Sequence, residues 1–482
     1  MPRTVLIGML TMYSACTTVP IHAQARNANL LGGCWLSFNA AGVQTAQYPQ
    51  GVQPGILSIS DPSAQLYLTA GGVTSSATIG IMDGAFQPIA NHPPLDTWLL
   101  SMSHNNAIFI PVPGYPDRMF LFFHRIFSVD VRKFGWLEIG PDGPGGQLRM
   151  TDVGLQYFIL DPADKCTGIA HANGEDYWFV TQAVGTNEIH AFRIGDLGVE
   201  EGPVISLGGV TLTDQYREGF MVASVQGDQL VSFSSNPNDV GNTFIELYDF
   251  DPLTGGATMQ HTFEGLVGNT WGVEFSPSGQ YLYLLVKYEL PNGPPYFRHS
   301  LYQYDLDQQD IEASRVLIDT RDADLEGAQG MYNNLYLGSD GKIYGNRFPI
   351  HALSCIQAPD EAGTNCAYLE TLEVCSDTII WVPHPMKYYH DDAPLGIRTV
   401  NNQPLHLTPN PIEDHGVLSG VADGTVVLRW CDALGRVVQE ERTAAVGGHL
   451  AVDARALATG QYILSLTQKS GVPSTVRLSV LH

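Results

Sequence analysis

Apolar and polar positions alternate in short runs along most of the chain, and Thr270–Val286 shows the repeating unit most plainly. Val273 and Phe275 alternate with polar neighbours, Pro277-Ser278-Gly279 turns the chain, and Tyr281 to Val286 returns as an apolar run. Proline fixes φ and glycine accepts φ > 0, so the middle turns, and the aromatic and β-branched flanks read as strands. The pattern predicts a β-hairpin whose return strand is buried on both faces.

The hairpin recurs. Versions start at Ile56, Ile108, Thr167, Met221 and Leu335, each a strand, a Gly/Asn/Asp/Pro turn and an apolar strand rich in Tyr, Phe or Leu. Their turns lie roughly 50 to 60 residues apart, a long period with about four short strands per unit. Phe127-Ser128-Val129-Asp130, Leu247 to Asp251 and Gln303 to Asp307 form a second recurring motif, and Ile189-His190-Ala191-Phe192 fills the same slot. A four-stranded sheet cannot bury both faces alone, whereas sheets packed radially around an axis can, so the period predicts a β-propeller over residues 29–385. Six units are clear, and Gly33 to Gly42 either completes the last blade or belongs to a seventh. An array of β-sandwiches is the competing architecture; it calls for linkers between units, and none is evident before about residue 383.

From Pro383 to Gln403, proline, asparagine and charge interrupt any strand or helix period, giving a linker assigned to 386–403. Beyond it, Thr425 to Cys431 alternates as a core strand, Asp432-Ala433-Leu434-Gly435 turns into Arg436-Val437-Val438, and Leu457 to Gly460 leads into a strand from Gln461. About seven short strands with turns every 8 to 12 residues describe a small Ig-like β-sandwich over 404–482. The expected fold class is therefore all-β: a six- or seven-bladed propeller followed by a small sandwich. Gly460 and Gly435 are expected in conformations that a β-carbon would strain.

Composition sharpens this picture. Of 482 residues 50 are glycine and only 15% are charged, which favours a turn-rich exported β protein. The net charge of −25 excludes nucleic acid and anionic membrane surfaces as partners, since both would repel the chain. Six Lys/Arg against seven Asp/Glu from Pro404 onward leave that end at −1, so the acidity lies upstream and two units are indicated.

The first 25 residues read as a signal peptide: Arg3, an apolar run from Val5 to Ala15, and Ala23-Gln24-Ala25 as small residues at cleavage spacing. Tyr13-Ser14-Ala15-Cys16 offers a lipoprotein-type cleavage site as the alternative. No segment is apolar for long enough to span a bilayer as a helix. Cleavage near Ala23 or Ala25 leaves six cysteines in an oxidising compartment, and Cys355 with Cys366, close in sequence, is the first candidate disulfide.

Two resemblances follow from these residues. Ala170–Thr181, Ile245–Gly255, Trp271–Leu284, Ser300–Asp307 and Gly338–Tyr344 resemble the propeller region of secreted Bacteroidetes surface proteins, as does the loop ending in Asn365-Cys366-Ala367-Tyr368. The C-terminal unit resembles the type A sorting domain of type IX secretion cargo. That likeness is carried by Pro409-Asn410-Pro411, by Asp432 to Val438 with Gly435 and Arg436, and by Leu457 to Ile463 with Gly460 and Tyr462. Thr408 stands where many family members have an aromatic residue, and Arg477 is the only basic residue of the last strand. The resemblance implies export through the periplasm and across the outer membrane, with the secretion machinery and its sortase as partners. It also implies removal of the domain, and a mature protein on the cell surface or in the medium.

No motif carries catalysis: there is no GxSxG elbow, HExxH helix or phosphate-cradling loop, and no cofactor or metal is implied. Asn269-Thr270-Trp271 lacks the Ser and Asp of a sialidase Asp-box. Asp249 and Asp251 could open a calcium loop, but Pro252 and Leu253 follow, and the spacing recurs at Asp305 and Asp307, which marks a turn position. His104, His124 and His171 could face the central channel, and His384, His390, Asp391 and Asp392 sit in the linker, where they read as solvated. Two functions stand: a non-catalytic adhesion scaffold for an extracellular glycan or protein, or a polysaccharide hydrolase or lyase with its site at the channel. The missing motifs favour the first. Acidic or histidine side chains clustered at one channel mouth would favour the second.

Overall fold

The structure, a computed structural model, describes residues 29–481 apart from 32–34, 40–41, 47–54, 61–64, 73–77, 90–94, 97–106, 129–130, 143–145, 159–160, 201, 237–238, 264–268, 291–296, 324–330, 349–351, 375–385, 388–405, 413, 420, 422–423, 432–436, 447 and 469–473. Ala23, Ala25, His104, His384, His390, Asp391, Asp392, Asp432, Gly435 and Arg436 lie outside the described residues. Among the described residues there is no α-helix, and no helix is long and apolar enough to cross a membrane. The chain divides into two compact units, 1–396 and 397–482.

Among the described residues unit 1 holds six successive antiparallel meanders of four strands, the second and third each with one further short strand. Their first strands are β1 (Gly55–Ser60), β2 (Ala107–Val112), β3 (Pro162–Ala170), β4 (Glu218–Ala223), β5 (Asn269–Phe275) and β6 (Met331–Leu337). Each first strand touches the next in chain order, from β1 through β6, and Asp164 of β3 bridges Glu218 of β4 in parallel. Parallel inner strands side by side, each opening a meander that runs outward, make a β-propeller. Trp35–Asn39, within the segment left open above, pairs with Asn29–Leu31 and Gly42–Ala46 in a separate three-stranded sheet whose first strand touches β1.

The predicted hairpin is formed as read. β5 pairs with Tyr281–Glu289 in a register that sets Val273 opposite Leu284, and Gly279 turns at φ 75° with its N–H bonded to the Ser276 carbonyl at 2.8 Å. The return strand has no polar face because both faces are covered. Leu282, Leu284 and Val286 pack with Phe220, Val222 and Val231 of the preceding sheet, while Tyr283 and Leu285 pack with Leu335, Leu337 and Ile343 of the following one. Each such side chain contributes about 1.5–3 kcal/mol when fully withdrawn from water, so the sheet is held by its neighbours on both sides.

Neighbouring meanders are also tied turn to turn. Ala172 N–H donates to the Pro252 carbonyl at 2.9 Å, Gln226 Nε2 to the Pro277 carbonyl at 2.9 Å, and Ser278 N–H to Asp360 Oδ1 at 2.9 Å. The recurring aspartates serve these turns. Asp251 accepts from Leu253 N–H at 2.9 Å, and Asp305 from Asp307 N–H at 3.1 Å, so each caps its own turn with a side-chain oxygen.

The expected Cys355–Cys366 disulfide is corrected: both thiols are free and buried. Parity along the sheet is the reason. Cys355 pairs across the sheet with Tyr344 and shares that residue's face, whereas Cys366 packs with Ile343, Ile356 and Tyr283 on the other face. Burial pushes the Cys355 thiol up to about 12, so it has little thiolate with which to react.

Unit 2 has two antiparallel sheets, one of His406–Thr408, His415–Ser419 and His449–Asp453, the other of Gly424–Cys431, Val437–Ala445, Gly460–Gln468 and Ser474–Val480. Both supply the same core, with Leu407, Leu418 and Val452 from one and Val426, Leu428, Trp430, Leu464 and Leu478 from the other. Pro409-Asn410-Pro411 runs exposed beside the last strand: Ser479 N–H donates to Asn410 Oδ1 at 3.1 Å, and Ile412 N–H to the Ser479 carbonyl at 2.9 Å. The Tyr462 hydroxyl donates to the Ala458 carbonyl at 2.9 Å, closing the turn before its own strand. The expectation for Gly460 is corrected. It is not among the positive-φ residues, and a β-carbon there would meet the Tyr462 ring at 3.5 Å, an ordinary contact.

Candidate functional site

The inner strands carry charge at two levels. At the start of β3, Asp164 is nearly enclosed; its Oδ2 accepts from Arg132 at 3.4 Å, and His124 Nε2 stands 3.3 Å from its Oδ1 without hydrogen-bond geometry. Arg217, which precedes β4, donates to the Pro162 carbonyl at 3.0 Å, to Asp161 at 3.4 Å and to Asp214, while its own carbonyl accepts from Asp164 N–H at 2.8 Å. Burial pushes the Asp164 carboxyl up to about 6 against the pull of Arg132 and Arg217, and it also raises Glu218. Burial, with help from the same two arginines, lowers His124 to about 3, so its imidazole is neutral.

These two groups act in opposite directions on stability. His124 sits below its ordinary 6.5, so its contribution is lost as pH falls from there toward 3. Asp164 sits above its ordinary 3.8, so its contribution is complete below 3.8 and lost as pH rises through 6. The two offset one another in weak acid, and below about pH 4 only the histidine loss continues. His124→Gln is therefore expected to make the acid loss of unit 1 shallower, read as its urea midpoint in the full chain between about pH 3 and 7. Superimposable profiles for the two proteins would show that His124 does not govern it.

Next to Asp164, Lys165 is fully buried between two meanders and donates to Ser232 Oγ at 2.8 Å, Ser234 Oγ at 2.5 Å and the Phe233 carbonyl at 3.2 Å. Burial lowers its ammonium to about 7, with Glu246 opposing. Its partners are hydroxyls and a carbonyl already in place, so it ties the two meanders together and offers no open nucleophile. His171 is likewise structural: its Nδ1 accepts from Asn173 N–H at 2.9 Å and its ring stacks on Trp178 at 5.1 Å.

The second level lies near the ends of the inner strands. Glu274, next to last in β5, is completely buried; Oε1 accepts from Phe275 N–H at 2.9 Å, and Oε2 accepts from Leu337 N–H of β6 at 2.8 Å and from Lys387 Nζ. The preceding residue, Met386, is buried against Ile108 of β2 and Gly168 of β3, where a β-carbon would come within 2.7 Å of its sulfur. Consecutive residues that touch β3 and β5, strands separated by β4, lie on the axis side of the ring. Met386 and Lys387, the first two residues of the segment read as linker, are buried against the inner strands rather than solvated.

Of the nominated residues that are described, His124 joins an inner-strand cluster. The sequence motifs do not mark Asp164, Lys165, Glu274, Met386 or Lys387. The available signal was a charge inside an otherwise apolar strand, as in Gly272-Val273-Glu274-Phe275. Among the described residues no group of three or more His, Cys, Asp or Glu is placed to hold a metal ion.

No family model and no curated protein matches the chain. Among solved structures it is similar to the periplasmic gluconolactonase of Pseudomonas aeruginosa, at 14% identity over 85% of this chain and 97% of that one, with a TM-score of 0.38. It is also similar to a protein from Lactobacillus plantarum (10% identity, 73% and 98% coverage, TM-score 0.45). The β-propeller domain of Myceliophteria thermophila Cps50 (Swd1) is similar at 11% identity, 67% and 88% coverage and a TM-score of 0.37. At these scores the propeller rests on its own sheet order rather than on the likeness.

Proposed function

We propose that this is an exported surface protein of the Bacteroidetes kind, in which a seven-bladed propeller serves as a non-catalytic binding scaffold. The three-stranded sheet of 29–46 beside β1 supports counting seven blades. Residues 1–25 are the signal peptide, and 404–482 form an Ig-like sandwich that addresses the chain to the type IX machinery and is then removed by the sortase. Two features support the sorting role. Unit 2 has a core of its own, and Pro409-Asn410-Pro411 is stitched to the last strand by Asn410.

The observation that carries binding over catalysis is that the most deeply buried inner-strand acid, Glu274, is already fully committed. Glu274 is committed to Lys387 and two backbone amides, and one oxygen of Asp164 accepts from Arg132. The second reading, a polysaccharide hydrolase or lyase, draws support from Asp164 and Glu218, two carboxyl groups raised by burial at opposed positions. An array of glycans, polysaccharides and extracellular proteins, scored for both retention and product release with the mature chain, tests the two. Retention without release is expected; release of sugar products would replace the scaffold reading with the enzymatic one.

A further inference from the structure

We propose that the groove between the outer edges of the fourth and fifth meanders, lined by Tyr288, Tyr302, Tyr304 and Arg315, binds a sugar unit that bears a single carboxylate within an otherwise neutral glycan. This deepens the scaffold reading and rests on it: the ligand class becomes a carboxylated glycan.

The groove follows from local structure. Tyr302 and Tyr304 lie two apart on the strand Phe297–Asp305, so they share the face turned toward the fourth meander, and Tyr288 of the neighbouring strand Tyr281–Glu289 joins them. The outer strand Val316–Ala323 is bulged at Ile318, with Asp319 opposite Leu301 and Leu317 opposite Tyr302. Across the groove stands Ala257–Phe263, whose Phe263 ring meets Tyr304 edge-on at 5.0 Å. The lining is open to solvent: Arg315 is exposed, Leu317 is 48% exposed, and Tyr288 and Tyr302 are only half-buried.

Its protons outnumber its acceptors. The Tyr288 hydroxyl donates to the Tyr302 hydroxyl at 3.1 Å, which leaves the Tyr302 proton without an acceptor among the described residues. The enclosed Tyr304 hydroxyl makes no hydrogen bond of ordinary geometry, and Arg315 stands beside it as a further donor. Arg315 also lies over the Tyr302 ring, 5.4 Å from its centroid. The groups that raise its guanidinium are Tyr304 first, then Tyr302 and Tyr288, with no carboxylate among them. Glu312, whose charge reaches Tyr304, is engaged by His261 Nε2 at 3.3 Å. Two hydroxyl protons beside a guanidinium call for an oxyanion, and a planar carboxylate matches the guanidinium fork. The tyrosine rings and Leu317 supply apolar surface next to it, which fits the C–H face of a sugar. One carboxylate is the charge such a groove admits, because a polyanion would meet the chain's net −25.

The test is calorimetry of the full chain with a glucuronosyl-xylose disaccharide. Its methyl ester and glucosyl-xylose are the uncharged controls, and acetyl-glutamyl-amide offers a carboxylate without a sugar. The acid disaccharide should bind about tenfold or more tighter than each of the three. Arg315→Gln should weaken it about tenfold or more. Tyr302→Phe, which removes one donor and keeps the ring, should weaken it about threefold to tenfold. Both changes lie at the open lining, and an unchanged urea midpoint of unit 1 shows that the fold is kept. The natural chain's preference among the four ligands depends on no variant. Failure of the acid disaccharide to bind, equal binding of its methyl ester, or undiminished affinity in folded Arg315→Gln overturns the proposal. Equal binding of acetyl-glutamyl-amide overturns it as well, since the sugar then plays no part. None of these results touches the scaffold reading, which falls only if the array shows product release.

Discussion

Replacing Trp430 with alanine is expected to unfold unit 2 while leaving unit 1 intact. Trp430 is fully buried, and the strand that carries it, Gly424–Cys431, is central to the larger sheet, paired on both sides by Val437–Ala445 and Gly460–Gln468. Removing an indole from a packed core costs about 3–5 kcal/mol through lost transfer energy and the cavity left behind. A unit of 86 residues (397–482) has a stability of roughly 5–15 kcal/mol, so the loss takes much or all of it. Calorimetry of the full chain should show one transition weakened or missing and the other unmoved. Under the sorting proposal, the variant should also accumulate in the periplasm of a competent host, because the address is read from a folded domain. Two transitions falling together would mean that the units do not unfold independently.

The parts legible in the sequence are those fixed by local physics. Pro277-Ser278-Gly279 had to turn, whatever surrounded it, because proline restricts φ and glycine alone takes φ 75° without strain. The unbroken apolar run from Tyr281 to Val286 implied two covered faces, and two neighbouring sheets cover them. The alternation from Thr425 to Cys431 likewise placed Trp430 in a core. What depended on register was not legible. Cys355 and Cys366 are near in sequence, yet the parity of Tyr344 pairing sends them to opposite faces of one sheet. Gly460 resembled a strained strand-entry glycine, whereas its surroundings leave room for a β-carbon.

The Lys387–Glu274 contact was the least legible feature because its two partners lie 113 residues apart. Met386-Lys387 stands among prolines, histidines and aspartates that do read as linker, and nothing local marks that lysine as buried. Its meaning comes from Glu274, which reads in isolation as the polar position of an alternating strand. Likewise, Asp164 and Lys165 look like the polar start of a strand, and only the parallel contact of β3 with β4 encloses them.

Lys387→Met should therefore be among the most damaging single changes in unit 1. Lys387 and Glu274 are 4% and 0% exposed, so removing the ammonium strands a carboxylate where water cannot reach it. Breaking a buried pair from one side costs about 3–5 kcal/mol, far more than the 0–1 kcal/mol typical of surface pairs such as Arg298 with Asp322. The second change in the cycle separates charge from packing. Glu274→Gln in the Lys387→Met background removes the stranded charge, and its amide oxygen can still accept one of the two backbone N–H groups. The double variant should recover most of the loss and keep a deficit of about 1–3 kcal/mol for the donor left unmatched. Denaturant titration of unit 1, followed by its aromatic fluorescence, measures all four corners of the cycle. If Lys387→Met is silent, the lysine does not sit against Glu274. If the double variant is no better than the single, the loss comes from packing around Met386 and not from charge.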